Sequence, residues 1–111
     1  MNGLERLGFE CAAADWLEAD RGRARLLRLM VLSPGQPMSL DRVAHVRGGG
    51  RRTMTDLSVR QQISTLRSAL NDLGFPGAIV SVRGVGWSVE PDVAAEIVDI
   101  VRALADKGAA A

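Results

Sequence analysis

A mainly α, α+β fold is predicted for this 111-residue chain by three features of its sequence. Apolar stripes at helical spacing recur through the middle and at the C-terminal end. Two short runs rich in β-branched or aromatic residues occur together near residue 80, joined by a glycine-softened link. Between these elements stand Pro-Gly, Gly-Gly-Gly and Pro-Gly punctuation rather than long linkers. The expected order is helix, turn, helix, basic loop, helix, hairpin, followed by one more helix.

Residues 1–20 carry the weakest signal. Leu4, Leu7 and Cys11 fit helical spacing, Gly8 to Ala12 fits a short strand equally well, and Trp16 and Leu17 offer apolar cover for a core. From Gly22, Ala24, Leu27 and Val31, with Leu26, Leu29 and Met30 between them, form an apolar band wide enough for a buried helix. Ser33-Pro34-Gly35 ends it, because proline cannot continue the hydrogen-bond ladder and glycine accepts the turn. Gln36-Pro37 lengthens the turn. Ser39 is placed to cap a helix from Leu40 to Val46, with Asp41 in its first turn, where the helix dipole favours an anion. That helix would bury Leu40, Val43 and Val46. Gly48 to Thr55, GGGRRTMT, reads as a mobile basic loop.

The next helix is predicted with a cap at Asp56 or Ser58; Ser58 with Gln61 also matches a capping box. Val59, Ile63, Leu66 and Leu70 make one core stripe. At 100° per residue the opposite face carries Gln61, Ser64, Thr65 and Ser68, with Arg60 and Arg67 on a flank. Gly74 stops this helix and Pro76-Gly77 turns the chain. Ala78 to Val82 and Trp87 to Val89 then read as two strands linked by Arg83-Gly84-Val85-Gly86. Pro91 suits the first turn of a last helix, Asp92 to Lys107. Its stripe is Val93, Ile97, Ile100, Val101 and Leu104, with Gly108 as its stop and 108–111 as a frayed tail.

Composition narrows the functional classes. An apolar fraction of 47% can fill a core, and the length suits one domain. No apolar run approaches the roughly 18 residues that span a bilayer. The N-terminus is too acidic and too interrupted to read as a signal peptide. Cys11 is the sole cysteine and gives no sign of an oxidising compartment, so a cytoplasmic location is expected. His45 is the sole histidine, so a His/Cys metal site within one chain is not expected. GGGRR lacks the Gly-Lys-Ser/Thr of a P-loop, and no carboxylate pair stands out. No enzymatic activity, cofactor or metal is expected. His45 reads as a helix-rim residue and Cys11 as a small core residue.

The net charge of +1 hides a segregated pattern. Residues 1–20 hold one arginine against five acids, for −4; residues 21–83 hold eleven arginines against three acids, for +8; residues 84–111 hold two bases against five acids, for −3. Such a basic centre suits a polyanionic partner. The plainer alternative is a set of arginines scattered over a solvated surface.

Three helices followed by a hairpin is the order of a winged helix-turn-helix domain, in which the third helix enters the major groove and the hairpin wing lies beside it. Three segments carry a resemblance at the level of motifs. LLRLMVLSPGQPMSLDRV, VRQQISTLRSAL and IVSVRGVGWSV resemble the first two helices, the recognition helix and the wing of the effector domain of OmpR/PhoB-type response regulators. The frame Ile63, Leu66, Arg67, Leu70 and the Arg83-Gly84-Val85-Gly86-Trp87 turn carry it most specifically. The resemblance spans residues 26–89 and implies a winged-helix DNA-binding domain at 21–90, preceded by a segment at 1–20 and followed by an amphipathic helix at 91–107. A receiver domain is not expected in 111 residues, so phosphorelay control is expected to be absent or indirect. The four-stranded platform of that family is not evident in residues 1–20. The extra C-terminal helix also departs from it, as does the uncharged outer face of the third helix.

These readings assign roles. Arg47, Arg51, Arg52, Arg60 and Arg67 are candidates for phosphate contacts, which dominate affinity for DNA. The resemblance puts Arg83 on the wing, at a position that often reaches the minor groove. Gln61, Ser64, Thr65 and Ser68 are candidates for base reading, a good bidentate pair being worth roughly 1–3 kcal/mol of discrimination. Arg67 equally suits an intramolecular ion pair, and Gln61 a capping box. Trp87 reads as a packing residue under the wing more than as a base stacker. Val93, Ile97, Ile100, Val101 and Leu104 either brace the core or pair with a second protomer. The function expected is a stand-alone bacterial or phage transcriptional regulator that binds double-stranded DNA sequence-specifically, with a homodimer favoured over a monomer. The alternative is a protein-interaction module that docks on RNA polymerase or another regulator. An aromatic content of 4% leaves no platform for stacked RNA bases.

Overall fold

The first helix shows why the N-terminus resists reading. The computed structural model describes residues 3–48 and 55–110, and α1 (Gly3–Leu17) turns Phe9, Ala13 and Leu17 into the core. The strand alternative at 8–12 is thereby excluded. The expected stripe is also displaced: Leu7 is 44% exposed, and Cys11 is exposed rather than a core residue. Both sets step by about four, so periodicity alone does not choose between them. α1 ends with Glu18 at φ 52°, the Glu18 N–H donating to the Asp15 carbonyl at 3.2 Å and the Ala19 N–H to the Ala14 carbonyl at 3.0 Å. That pair of bonds is a Schellman motif, with glutamate where glycine is favoured. Trp16 meets Phe75 edge to face, ring centroids 6.0 Å apart.

α2 (Arg21–Leu32) starts where Asp20 accepts a hydrogen bond from the Arg23 N–H at 2.8 Å, and it buries Ala24, Leu26, Leu27, Met30 and Val31. It is tied to α1 by charge. Glu10 is buried, and its carboxylate lies 3.1 Å from Arg28, 3.5 Å from Arg25 and 3.6 Å from Arg21. The turn after α2 uses Gly35 at φ 76°, whose N–H donates to the Val89 carbonyl at 2.9 Å. Ser39 caps α3 (Leu40–Gly48) as the sequence predicts, its hydroxyl accepting from the Arg42 N–H at 3.1 Å. Val43 and Ala44 are buried there and Leu40 is half-buried; the side chain of Val46 lies outside the described residues.

α4 (Asp56–Asp72) is capped by Thr55, not by Asp56 or Ser58: the Thr55 hydroxyl accepts from the Ser58 N–H at 3.1 Å. The predicted stripe is intact, with Val59, Ile63, Leu66 and Leu70 all buried. Gly74, at φ 96°, ends the helix, and the Phe75 N–H closes back on the Leu70 carbonyl at 2.8 Å.

β1 (Ile79–Val82) and β2 (Gly86–Val89) pair antiparallel, Ile79 opposite Val89 and Val82 opposite Gly86. The link is therefore three residues, Arg83 to Val85, one fewer than expected. The Val85 N–H donates to the Val82 carbonyl at 2.9 Å, and Gly84 at φ 75° supplies the left-handed position that a type II turn needs. Gly86 answers to a different constraint. A Cβ there would overlap the Met38 carbonyl. Met38 and Trp87 bond to each other through their backbones, so Met38 forms a one-residue rung beside β2. Trp87 is buried at 7% exposure and packs into the core.

α5 (Pro91–Ala110) runs past Lys107, so Gly108 does not stop it and 108–110 are helical. Interior glycine costs about 1 kcal/mol, which does not by itself end a helix. α5 packs on α1 and α2, with Ala94, Ile97 and Val101 buried. Ile97 and Val101 are thus committed to the chain's own core and have no surface to offer a second protomer. Val93 also packs against that core; Ile100 and Leu104 are 36% and 38% exposed. The architecture is mainly helical α+β with one two-stranded antiparallel sheet. Among the described residues, no helix is long and apolar enough to cross a membrane.

Candidate nucleic-acid interface

Burying Val59, Ile63, Leu66 and Leu70 fixes the rotation of α4. With 100° per residue, the opposite side must then face outward. Gln61, Ser64, Thr65 and Ser68 are all exposed. Because Thr55 provides the cap, Gln61 is not spent on a capping box. The Thr65 hydroxyl donates to the Gln61 carbonyl at 2.9 Å.

Arg60 and Arg67 fall on one flank of α4, two turns apart, and the hairpin runs along that flank. The Arg67 guanidinium donates to the Ile79 carbonyl at 3.3 Å and to the Ser81 hydroxyl at 3.2 Å. Arg67 is therefore half-buried against β1 rather than presented as a phosphate contact. Its partners are neutral, so the ion pair considered for it is not formed in this arrangement. Arg60 is exposed and shares a cleft of about 440 Å³ with Leu40, Arg83 and the residues of the hairpin turn. Among the described residues, no acidic side chain lines that cleft. The outward face of α4 and the hairpin are adjacent sides of one surface, joined through the Arg60–Arg67 flank.

The basic segment divides on folding. Arg21, Arg25 and Arg28 surround Glu10, and the Arg23 guanidinium donates to the Gln62 amide oxygen at 3.4 Å, so these four serve the α1–α2–α4 packing. Arg60 and Arg83 belong to the surface described here. Arg51, Arg52 and the side chain of Arg47 lie outside the described residues. His45 is exposed on α3, as its reading as a rim residue expects, and no metal-binding cluster occurs among the described residues.

Two residues of this surface receive no role in the sequence reading, where Val85 appears only as a residue of the hairpin link and Leu57 not at all. Leu57 and Val85 are 66% and 54% exposed. A signal for Leu57 existed: on the helical wheel it falls between Ser64 and Ser68, off the core stripe. Val85 sits in the three-residue turn between β1 and β2.

Compared with protein-family models, curated proteins and solved structures, the chain matches none.

Proposed function

We propose that the chain is a winged helix-turn-helix module that binds double-stranded DNA and regulates transcription. α2, α3 and α4 form its three-helix core, α4 is the recognition helix and the β1–β2 hairpin is the wing. The observation that carries this reading is the continuous surface made by the exposed polar face of α4 and the Arg60–Arg83 cleft beside it, with no acid among the described residues of the cleft lining. Gln61, Ser64, Thr65 and Ser68 on that face are uncharged and polar, so they can enter the major groove without a desolvation penalty for unpaired charge; Leu57 is the large apolar residue among them. Two arginines at its edge suit the flanking phosphates. In filter-binding titrations with a mixed duplex pool, log K is expected to fall linearly with log salt, by about 0.9 per phosphate neutralised. No binding to any duplex at low salt contradicts the proposal.

A protein-docking module on the same surface is the second reading, and Leu57 and Val85 favour it, since exposed large apolar residues often mark protein contacts. RNA polymerase or another regulator would be the partner class. Under this reading Leu57→Asp abolishes pulldown of the partner while duplex binding is absent throughout.

A further inference from the structure

We infer that Arg67 is a positioning residue: it joins the recognition helix to the hairpin and so sets where the Arg83 turn meets DNA. The inference rests on the DNA-binding reading above and deepens it. Arg67 leaves the middle of α4 and reaches β1 at two points on the same strand, the Ile79 carbonyl and the Ser81 hydroxyl. One nitrogen, Nη2, donates to both, and the two acceptors bracket Val80, so β1 is held to α4 at two points rather than one. A hydrogen bond from a charged donor is stronger than one between neutral groups, and two of them here tie the strand to the helix. The other strand of the hairpin is anchored elsewhere, through the Trp87–Met38 backbone bonds and the Gly35–Val89 bond. β2 is thus held by the segment before α3, and β1 is held by α4. With both anchors in place, the turn carrying Arg83 is fixed relative to the helix face carrying Gln61, Ser64, Thr65 and Ser68. Arg67 contributes to binding by coupling two surfaces, and its guanidinium is already occupied when DNA arrives.

The test has two arms. Without DNA, amide hydrogen exchange in 79–82 and 86–89 is expected to accelerate about tenfold in Arg67→Ala, which loses both bonds, and about threefold in the uncharged variant Ser81→Ala, which loses one. Exchange in α5 reports global stability and is expected to change less. With duplex DNA, Arg67→Ala is expected to lose about tenfold in affinity in the wild-type background and less than about twofold in the Arg83→Ala background, the non-additivity expected of coupled groups. Additive losses, together with a further fall of about 0.9 in the salt slope, mean that Arg67 touches a phosphate and overturn the inference. Unchanged exchange in both variants overturns it as well. If wild-type protein binds no duplex while exchange behaves as expected, the tie stands and the DNA-binding reading fails.

Discussion

Two glycines, one in the hairpin turn and one at the start of β2, show how far a single residue controls this surface. Gly84 is needed for its backbone angle, and Gly86 because Met38 occupies the space where a Cβ would go. Gly84→Ala is expected to cost about 1–2 kcal/mol of strain from the left-handed conformation. Gly86→Ala forces two backbones apart and breaks the Met38–Trp87 bonds, so its expected cost is larger, about 3 kcal/mol. Denaturant unfolding of the two variants checks the order; equal stabilities would mean that the Met38 contact is not formed. At Arg83, which is exposed, the expectation is the reverse: Arg83→Ala leaves thermal stability unchanged and lowers the salt slope of DNA binding by about 0.9.

At the level of the element, α4 was legible because it has a single apolar stripe. Val59, Ile63, Leu66 and Leu70 fix its rotation and therefore its outer face, and the structure buries all four. Its N-terminus was not legible in the same way, since Thr55, Asp56 and Ser58 are all capping residues at adjacent positions and only the backbone conformation selects Thr55, at φ −68° and ψ 156°. Thr55→Ala is accordingly expected to destabilise the protein by about 1 kcal/mol, whereas Gln61→Ala changes stability little and alters base preference instead. Thermal unfolding of the pair checks the assignment. α1 is apolar on two sides, so the stripe at Phe9, Ala13 and Leu17 competes with the one at Leu7 and Cys11, and only packing against α2 and α5 decides. Arg67 was equally beyond sequence reasoning. Its position on the flank was predictable, but the carbonyl and hydroxyl it binds lie 12 and 14 residues away, in another element.

Across the whole molecule, charge turns out to be divided between two tasks. The sequence shows one basic centre, but folding sends Arg21, Arg25 and Arg28 to a buried carboxylate and leaves Arg60 and Arg83 on the candidate interface. That Glu10 serves this purpose could not be read from the chain, since a helix must first be recognised in residues 3–17. Glu10→Gln keeps the shape and removes the charge. Of its three partners only Arg28 is largely buried, its side chain 11% exposed, so the expected cost is about 3 kcal/mol, the low end for breaking a buried pair. Calorimetric unfolding checks it, and a loss below about 0.5 kcal/mol would mean that the pairs contribute no more than surface ion pairs. The same division of roles applies to α5. Ile97→Asp is expected to unfold the chain, whereas Leu104→Asp is expected to leave it folded, because only the former side chain lies wholly inside.

The most direct measurement of the central claim is a map of backbone amide shifts by NMR as unlabelled duplex DNA is added at low salt. The account predicts that the largest changes fall on 57–68 of α4 and on 82–86 of the hairpin, together and saturating at one DNA concentration. Changes confined to α1 and α5, or changes on α4 alone with the hairpin silent, would contradict it.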